Sequence, residues 1–172
     1  MQTEFFGRRG ALLAAALSLP VAAPSYAASA DSDAETEILQ PLTLTQISVL
    51  DFGSIVPSNV AGRINIRRND GVCVAQGGAM LVGNNCQRGE FLIAGPSRQQ
   101  VSVATAAAPI TLWRSGGGAT MTMDRVRING GPNKRLNAAG ERTFYVSGRL
   151  LVGANQSEGV YDGTFNVTVD YR

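Results

Sequence analysis

From Leu42 onward the chain is dominated by alternation of apolar and polar residues, the period-two signature of strands with one buried face. The last segment shows it best: Tyr161, Gly163, Phe165, Val167, Val169 and Tyr171 share one face, and Asp162, Thr164, Asn166, Thr168 and Asp170 the other. A helix would mix these two sets. Shorter alternations occur at Leu42 and Leu44, Ile64 and Ile66, Phe91 and Ile93, Val101 and Val103, and Ile110 and Leu112. Met121 and Met123, Val126 and Ile128, and Phe144 and Val146 continue the series, which predicts roughly nine or ten strands. Turn formers separate them at short intervals, among them Asp51 to Gly53, Asn69-Asp70-Gly71, Gly116 to Gly118 and Glu158-Gly159. Many short strands with no helical stretch predict an all-β sandwich of two amphipathic sheets.

The first residues follow a different rule. Arg8 and Arg9 precede an apolar run from Ala11 to Leu19, and small residues follow Pro20, the order of zones in an export signal. The run is too short to cross a bilayer of about 30 Å as a mature helix. Ser25 and Ala27 supply the small side chains a signal peptidase reads, so cleavage is expected between Ala27 and Ala28, with Ala28-Ser29-Ala30 as the alternative site. Arg8-Arg9 resembles a twin-arginine signal, but Gly7 and Ala11 depart from that pattern, which favours the general secretory route. The expected organisation is a signal peptide over 1–27, a mobile acidic arm over 28–37, and one domain over 38–172 with no transmembrane anchor in the mature chain. About 145 residues suffice for one domain with a real core.

Charge adds little to this. The formal net charge of +2 falls to +1 once Arg8, Arg9 and Glu4 are set aside, and the remaining arginines are scattered. Nucleic acid is therefore not an expected partner. The two cysteines, Cys73 and Cys86, are expected to form a disulfide in an oxidising compartment, closing a loop of about 14 residues and contributing roughly 3 kcal/mol. Two cysteines without histidine supply only half a zinc shell.

The chain contains no histidine, which removes the usual general base near neutral pH together with Ser-His-Asp and Cys-His arrangements. The carboxylates fall at turns or on polar strand faces, and Gly116-Gly117-Gly118 lacks the Gly-Lys-Ser/Thr and following helix of a phosphate loop. No catalytic, cofactor-binding or metal-binding residue is assigned, and the chain is not expected to be an enzyme. Trp113, the single tryptophan, is a candidate stacking platform, though burial at the sandwich edge is the expected fate of so large an apolar side chain.

Both ends of the domain carry a resemblance. Ile38 to Thr45 followed by Leu50-Asp51-Phe52-Gly53-Ser54-Ile55 looks like the opening of the bacterial domain of unknown function 4402 family. Gly148 to Gly153 is similar to its penultimate strand, and Gly159 through Tyr171 to its close. The family-type residues are Leu50, Phe52, Gly53, Gly159, Tyr161, Gly163, Phe165, Val167, Val169 and Tyr171. That family in turn resembles spore-coat-U type and archaic chaperone-usher pilins. The resemblance implies an immunoglobulin-like sandwich, self-association by strand addition, and a periplasmic chaperone with an outer-membrane usher as partners. It places the protein in the periplasm, at the cell surface or outside a Gram-negative bacterium. Ile38, Leu42 and Leu44 are the candidate donor or edge strand, because the arm before them offers only alanines as apolar side chains. The alternative is a secreted or periplasmic binding module, for example for glycans, that folds as a self-contained monomer.

Overall fold

The computed structural model describes residues 35–83 and 85–172. The chain divides into two units, Met1–Glu37 and Ile38–Arg172. Of the first, only residues 35–37 are described, so the expected cleavage site at Ala27 and Ala28 and most of the arm lie outside the described residues. The second unit is all-β: among the described residues there are thirteen strands and no helix. In chain order they are β1 (Thr43–Ser48), β2 (Ser54–Val56), β3 (Gly62–Ile66), β4 (Cys73–Gly77), β5 (Met80–Val82), β6 (Gly89–Ala94) and β7 (Gln100–Thr105). There follow β8 (Ile110–Arg114), β9 (Thr120–Ile128), β10 (Asn133–Arg135), β11 (Glu141–Val152), β12 (Tyr161–Asp162) and β13 (Val167–Tyr171).

Eight strands form the main sheet, in the order β1-β6-β11-β9-β8-β12, with β3 added to β11 and β4 to β3. Strand β11 is its spine. Along one edge its first half pairs with β6, from Glu141 opposite Ala94 to Val146 opposite Gly89, and its second half pairs with β3, from Arg149 opposite Asn65 to Val152 opposite Gly62. Its other edge pairs with β9, from Val146 opposite Ile128 to Leu151 opposite Thr122. Alternation along β11 points Phe144, Val146, Leu150 and Val152 to the same side, and two cores grow on that side. Over the first half, Phe144 stacks on Phe91 with ring centroids 5.4 Å apart, joined by Ile93, Val101, Val103, Val146 and Leu136. Over the second half lie Phe52, Ile64, Ile66, Met121, Met123, Leu150 and Val152. Each such side chain contributes about 1.5–3 kcal/mol by leaving water. Val126 and Phe165 touch both clusters.

Two smaller sheets cover this inward face. A three-stranded sheet, β10-β7-β13, lies over the first core through Val101, Val103, Val167 and Val169. A two-stranded one, β2-β5, lies over the second through Ile55 and Leu81. The result is a β-sandwich with a divided upper layer.

Three expectations are corrected. The strand count is higher because β2, β5 and β10 have three residues each, too few for alternation to register. Residues 161–171 keep their alternation but form two strands, β12 pairing with β8 in the main sheet and β13 with β7 in the smaller one. The crossing occurs at Gly163, where a Cβ would stand 2.9 Å from the carbonyl oxygen of Thr111. Trp113 is not buried: it is 66% exposed, because Ile110 and Leu112 take the inward positions of β8.

Candidate functional site

The upper layer has a gap between its two small sheets. Among the described residues β2 pairs only with β5, and β12, which ends the main sheet, pairs only with β8, so each has one unpaired edge. There lies a cleft of about 750 Å³, walled on one side by Val49 to Pro57 and on the other by Gln156 to Phe165. Its floor is the inward face of β8, β9 and β11, supplied by Ile110, Met121, Met123, Leu150 and Val152. These floor residues are buried, whereas Leu50, Ile55, Leu112, Tyr161 and Phe165 around them are half-buried and keep apolar surface open to the cleft.

Local chemistry fixes each wall. On the first, the N–H of Gly53 donates to Oδ1 of Asp51 at 2.8 Å, and Gly53 has φ of 73°, a left-handed turn that favours glycine. A Cβ on Gly53 would also stand 2.5 Å from Oδ1 of Asn85. The turn drives Phe52 into the core and starts β2. Asp51 and Gln87 exchange backbone hydrogen bonds at 3.0 and 2.8 Å, and Gln87 follows Cys86. Cys86 is disulfide-bonded to Cys73, with 6.5 Å between their Cα atoms, as the sequence led one to expect. The bond therefore anchors the first wall to β4. On the second wall, Tyr161 donates from its hydroxyl to the carbonyl of Ser157 at 2.7 Å and accepts from Nε2 of Gln156 at 2.8 Å. Gly159 has φ of 140°, and a Cβ there would stand 2.6 Å from Nε of Arg114, whose guanidinium donates to the carbonyl of Glu158.

The residues singled out from the sequence converge here. Leu50, Phe52 and Gly53 lie on the first wall, and Gly159, Tyr161, Gly163 and Phe165 on the second. Val167, Val169 and Tyr171 lie beyond the cleft and pack on the first core. The hydroxyl of Tyr171 donates to the carbonyl of Gln40, tying the start of the domain to its end. Leu42 and Leu44 are at an edge, since β1 ends the main sheet, with Leu44 opposite Ile93 and both leucines packed on their own chain's first core. Of the two roles expected for this segment, donor or edge strand, the single chain places Leu44 in an edge strand, with both leucines half-buried. Ile38, by contrast, is 92% exposed.

The cleft is lined by apolar side chains and backbone edges. Among the described residues there is no group of three or more histidine, cysteine, aspartate or glutamate side chains placed to hold a metal ion. The shifted ionisable groups lie elsewhere. The Asp124 carboxylate is held below its ordinary range by the hydrogen-bonded guanidinium of Arg149, whose Nε donates to Oδ1 at 2.8 Å. Lys134, buried on β10 with Nζ donating to the carbonyl of Asn129, is pushed below the usual lysine range by burial and then by the charge of Arg142.

No curated protein and no solved structure matches this chain significantly. The family model described as Domain of unknown function (DUF4402) matches residues 42–171, and the chain belongs to this family.

Proposed function

We propose that this member of the DUF4402 family is an exported, non-catalytic structural subunit of pilin-like kind whose cleft is completed by a strand from a second copy. The observation that carries the reading is that β2 and β12, each paired on one side only among the described residues, both border one apolar cleft. A strand laid there would hydrogen-bond to an edge and place alternate side chains on the floor, the mode known as β-augmentation. An open apolar edge is otherwise an aggregation hazard. The disulfide fits an oxidising compartment, and assembly through a periplasmic chaperone and an outer-membrane usher belongs to the same reading.

With Leu42 and Leu44 packed on their own chain, the donor is the segment before them. Read in steps of two, Ala28, Ala30, Ser32, Ala34, Thr36 and Ile38 share one face, and Asp31, Asp33, Glu35 and Glu37 the other. The small face needs little room in the cleft, and the acidic face would remain in water. Asp51 and Glu158 on the cleft walls carry the same sign, so assembly should strengthen with added salt.

The test is electrophoresis of the mature protein, with chaperone and usher coexpressed, for ladders that persist in detergent until heated. Ile38→Asp, at an exposed position, should abolish them without unfolding the domain. A monomer that never forms ladders would favour the second reading, a self-contained binding module, which the pairing of β1 within its own chain supports.

A further inference from the structure

The main sheet has an outer face, turned away from the cleft, and one end of it carries side chains that neither core uses. Trp113 on β8 stands opposite Asp162 on β12 and opposite Thr120 on β9. Residues directly paired across antiparallel strands share a face, with about 4.5–5.5 Å between Cβ atoms. The indole is therefore flanked by a carboxylate on one side and a hydroxyl on the other. Oγ of Ser115 lies 3.2 Å from Oδ2 of Asp162 and donates to it, which orients the carboxylate and leaves it further acceptor capacity. Among the described residues Asp162 has no ion-pair partner. Thr111, opposite Thr122, extends the row of hydroxyls by one step. The hairpin tip that follows β8 consists of Gly116, Gly117 and Gly118, so it sets no side chain over the ring.

We propose that Trp113, Asp162, Ser115 and Thr120 form a binding subsite for a neutral saccharide. A tryptophan two-thirds exposed keeps a large flat apolar surface in water, and the two residues paired directly with it, Asp162 and Thr120, are hydrogen-bonding ones. A protein surface that covered the indole would also have to desolvate Asp162 and the threonines, at a cost unless each found a partner. Nucleic acid is disfavoured by a carboxylate beside the ring. A pyranose matches both features: its C–H face lies against the indole, and its equatorial hydroxyls donate to Asp162 and exchange hydrogen bonds with Thr120. Thr111 and Thr122 would meet the next sugar unit. Trp113, Ser115 and Thr120 lie outside the cleft lining, whereas Asp162 on β12 also belongs to its second wall.

Trp113 is the only tryptophan, so tryptophan emission, excited selectively over tyrosine, reports this site alone. The mature protein would be titrated with chitohexaose, cellohexaose and maltohexaose, following emission and the heat of binding. At least one should give a saturable change. Asp162→Asn should weaken it roughly tenfold or more, and Trp113→Ala should abolish the heat, with unchanged thermal midpoints. Ladder formation should be unaffected by Trp113→Ala, whose side chain lies outside the cleft lining, which separates this proposal from the previous one. No saturable response to any of the three sugars would overturn it, as would binding that survives Trp113→Ala. Emission that changes with protein concentration alone would overturn it in favour of a second copy on this face.

Discussion

The ring of Phe52 lies against Gly148: a Cβ on that glycine would stand 3.0 Å from Cζ of Phe52 and 2.6 Å from Sδ of Met123. The contact joins the Phe-Gly turn of the first wall to the spine strand β11, so the depth at which Phe52 seats depends on there being no side chain at 148. Gly148→Ala should destabilise the domain by about 1–3 kcal/mol through overpacking. The loss should be smaller in a Phe52→Leu background, where the ring is gone. Urea unfolding of the four proteins in this cycle measures it; equal losses in both backgrounds would separate the two residues.

Replacing Cys73 and Cys86 with serine should cost roughly 3 kcal/mol in unfolding free energy, the value for a loop of this length. Because Gln87, next to Cys86, holds Asp51 by paired backbone bonds, the amides of Asp51 and Gln87 should also exchange faster with solvent. Unchanged exchange at these two amides would show that the first wall is held without the disulfide.

Asp124 is the extra residue where the β9–β11 register slips, and its carboxylate is gripped by Arg149. Its folded-state pKa is lowered, first by that hydrogen bond. A lowered carboxylate pKa stabilises the fold fully above the ordinary range near pH 4 and ceases to do so as pH falls through the folded value. Asp124→Asn should therefore be less stable than the parent at neutral pH, and the difference should shrink as pH drops below about 4. Denaturant midpoints measured across that range check it; a constant difference would show that the pair acts by shape alone.

Much of this structure was legible in the chain, because alternation fixes which residues face inward whatever strand they join. Tyr161, Phe165, Val167, Val169 and Tyr171 do face in. That they belong to two sheets depends on the approach of Gly163 to Thr111, which has no trace in a one-dimensional pattern. The same parity that sends Ile110 and Leu112 inward sends Trp113 outward, so its exposure was readable and the general preference for burial misled. Leu42 and Leu44 alternate equally well for their own edge or for another copy's cleft, and the pairing of Leu44 with Ile93 is a register that alternation alone does not give. The motif residues Leu50, Phe52, Gly53, Gly159, Tyr161, Gly163 and Phe165 come together around the cleft, a convergence that a one-dimensional pattern does not carry. Its openness was not, since an unpaired edge is an absence of a neighbour rather than a property of any residue.

Strand acceptance by the cleft can be measured without assembly. The mature chain carrying Ile38→Asp, which should stay monomeric, would be titrated calorimetrically with a synthetic peptide of residues 28–41. Saturable binding of one peptide per chain is predicted, with a thermal midpoint raised by several degrees and slowed exchange in β2 and at residues 161–165. The peptide bearing Ile38→Asp should bind far more weakly. No heat of binding and an unmoved midpoint at saturating peptide would contradict strand completion from this segment.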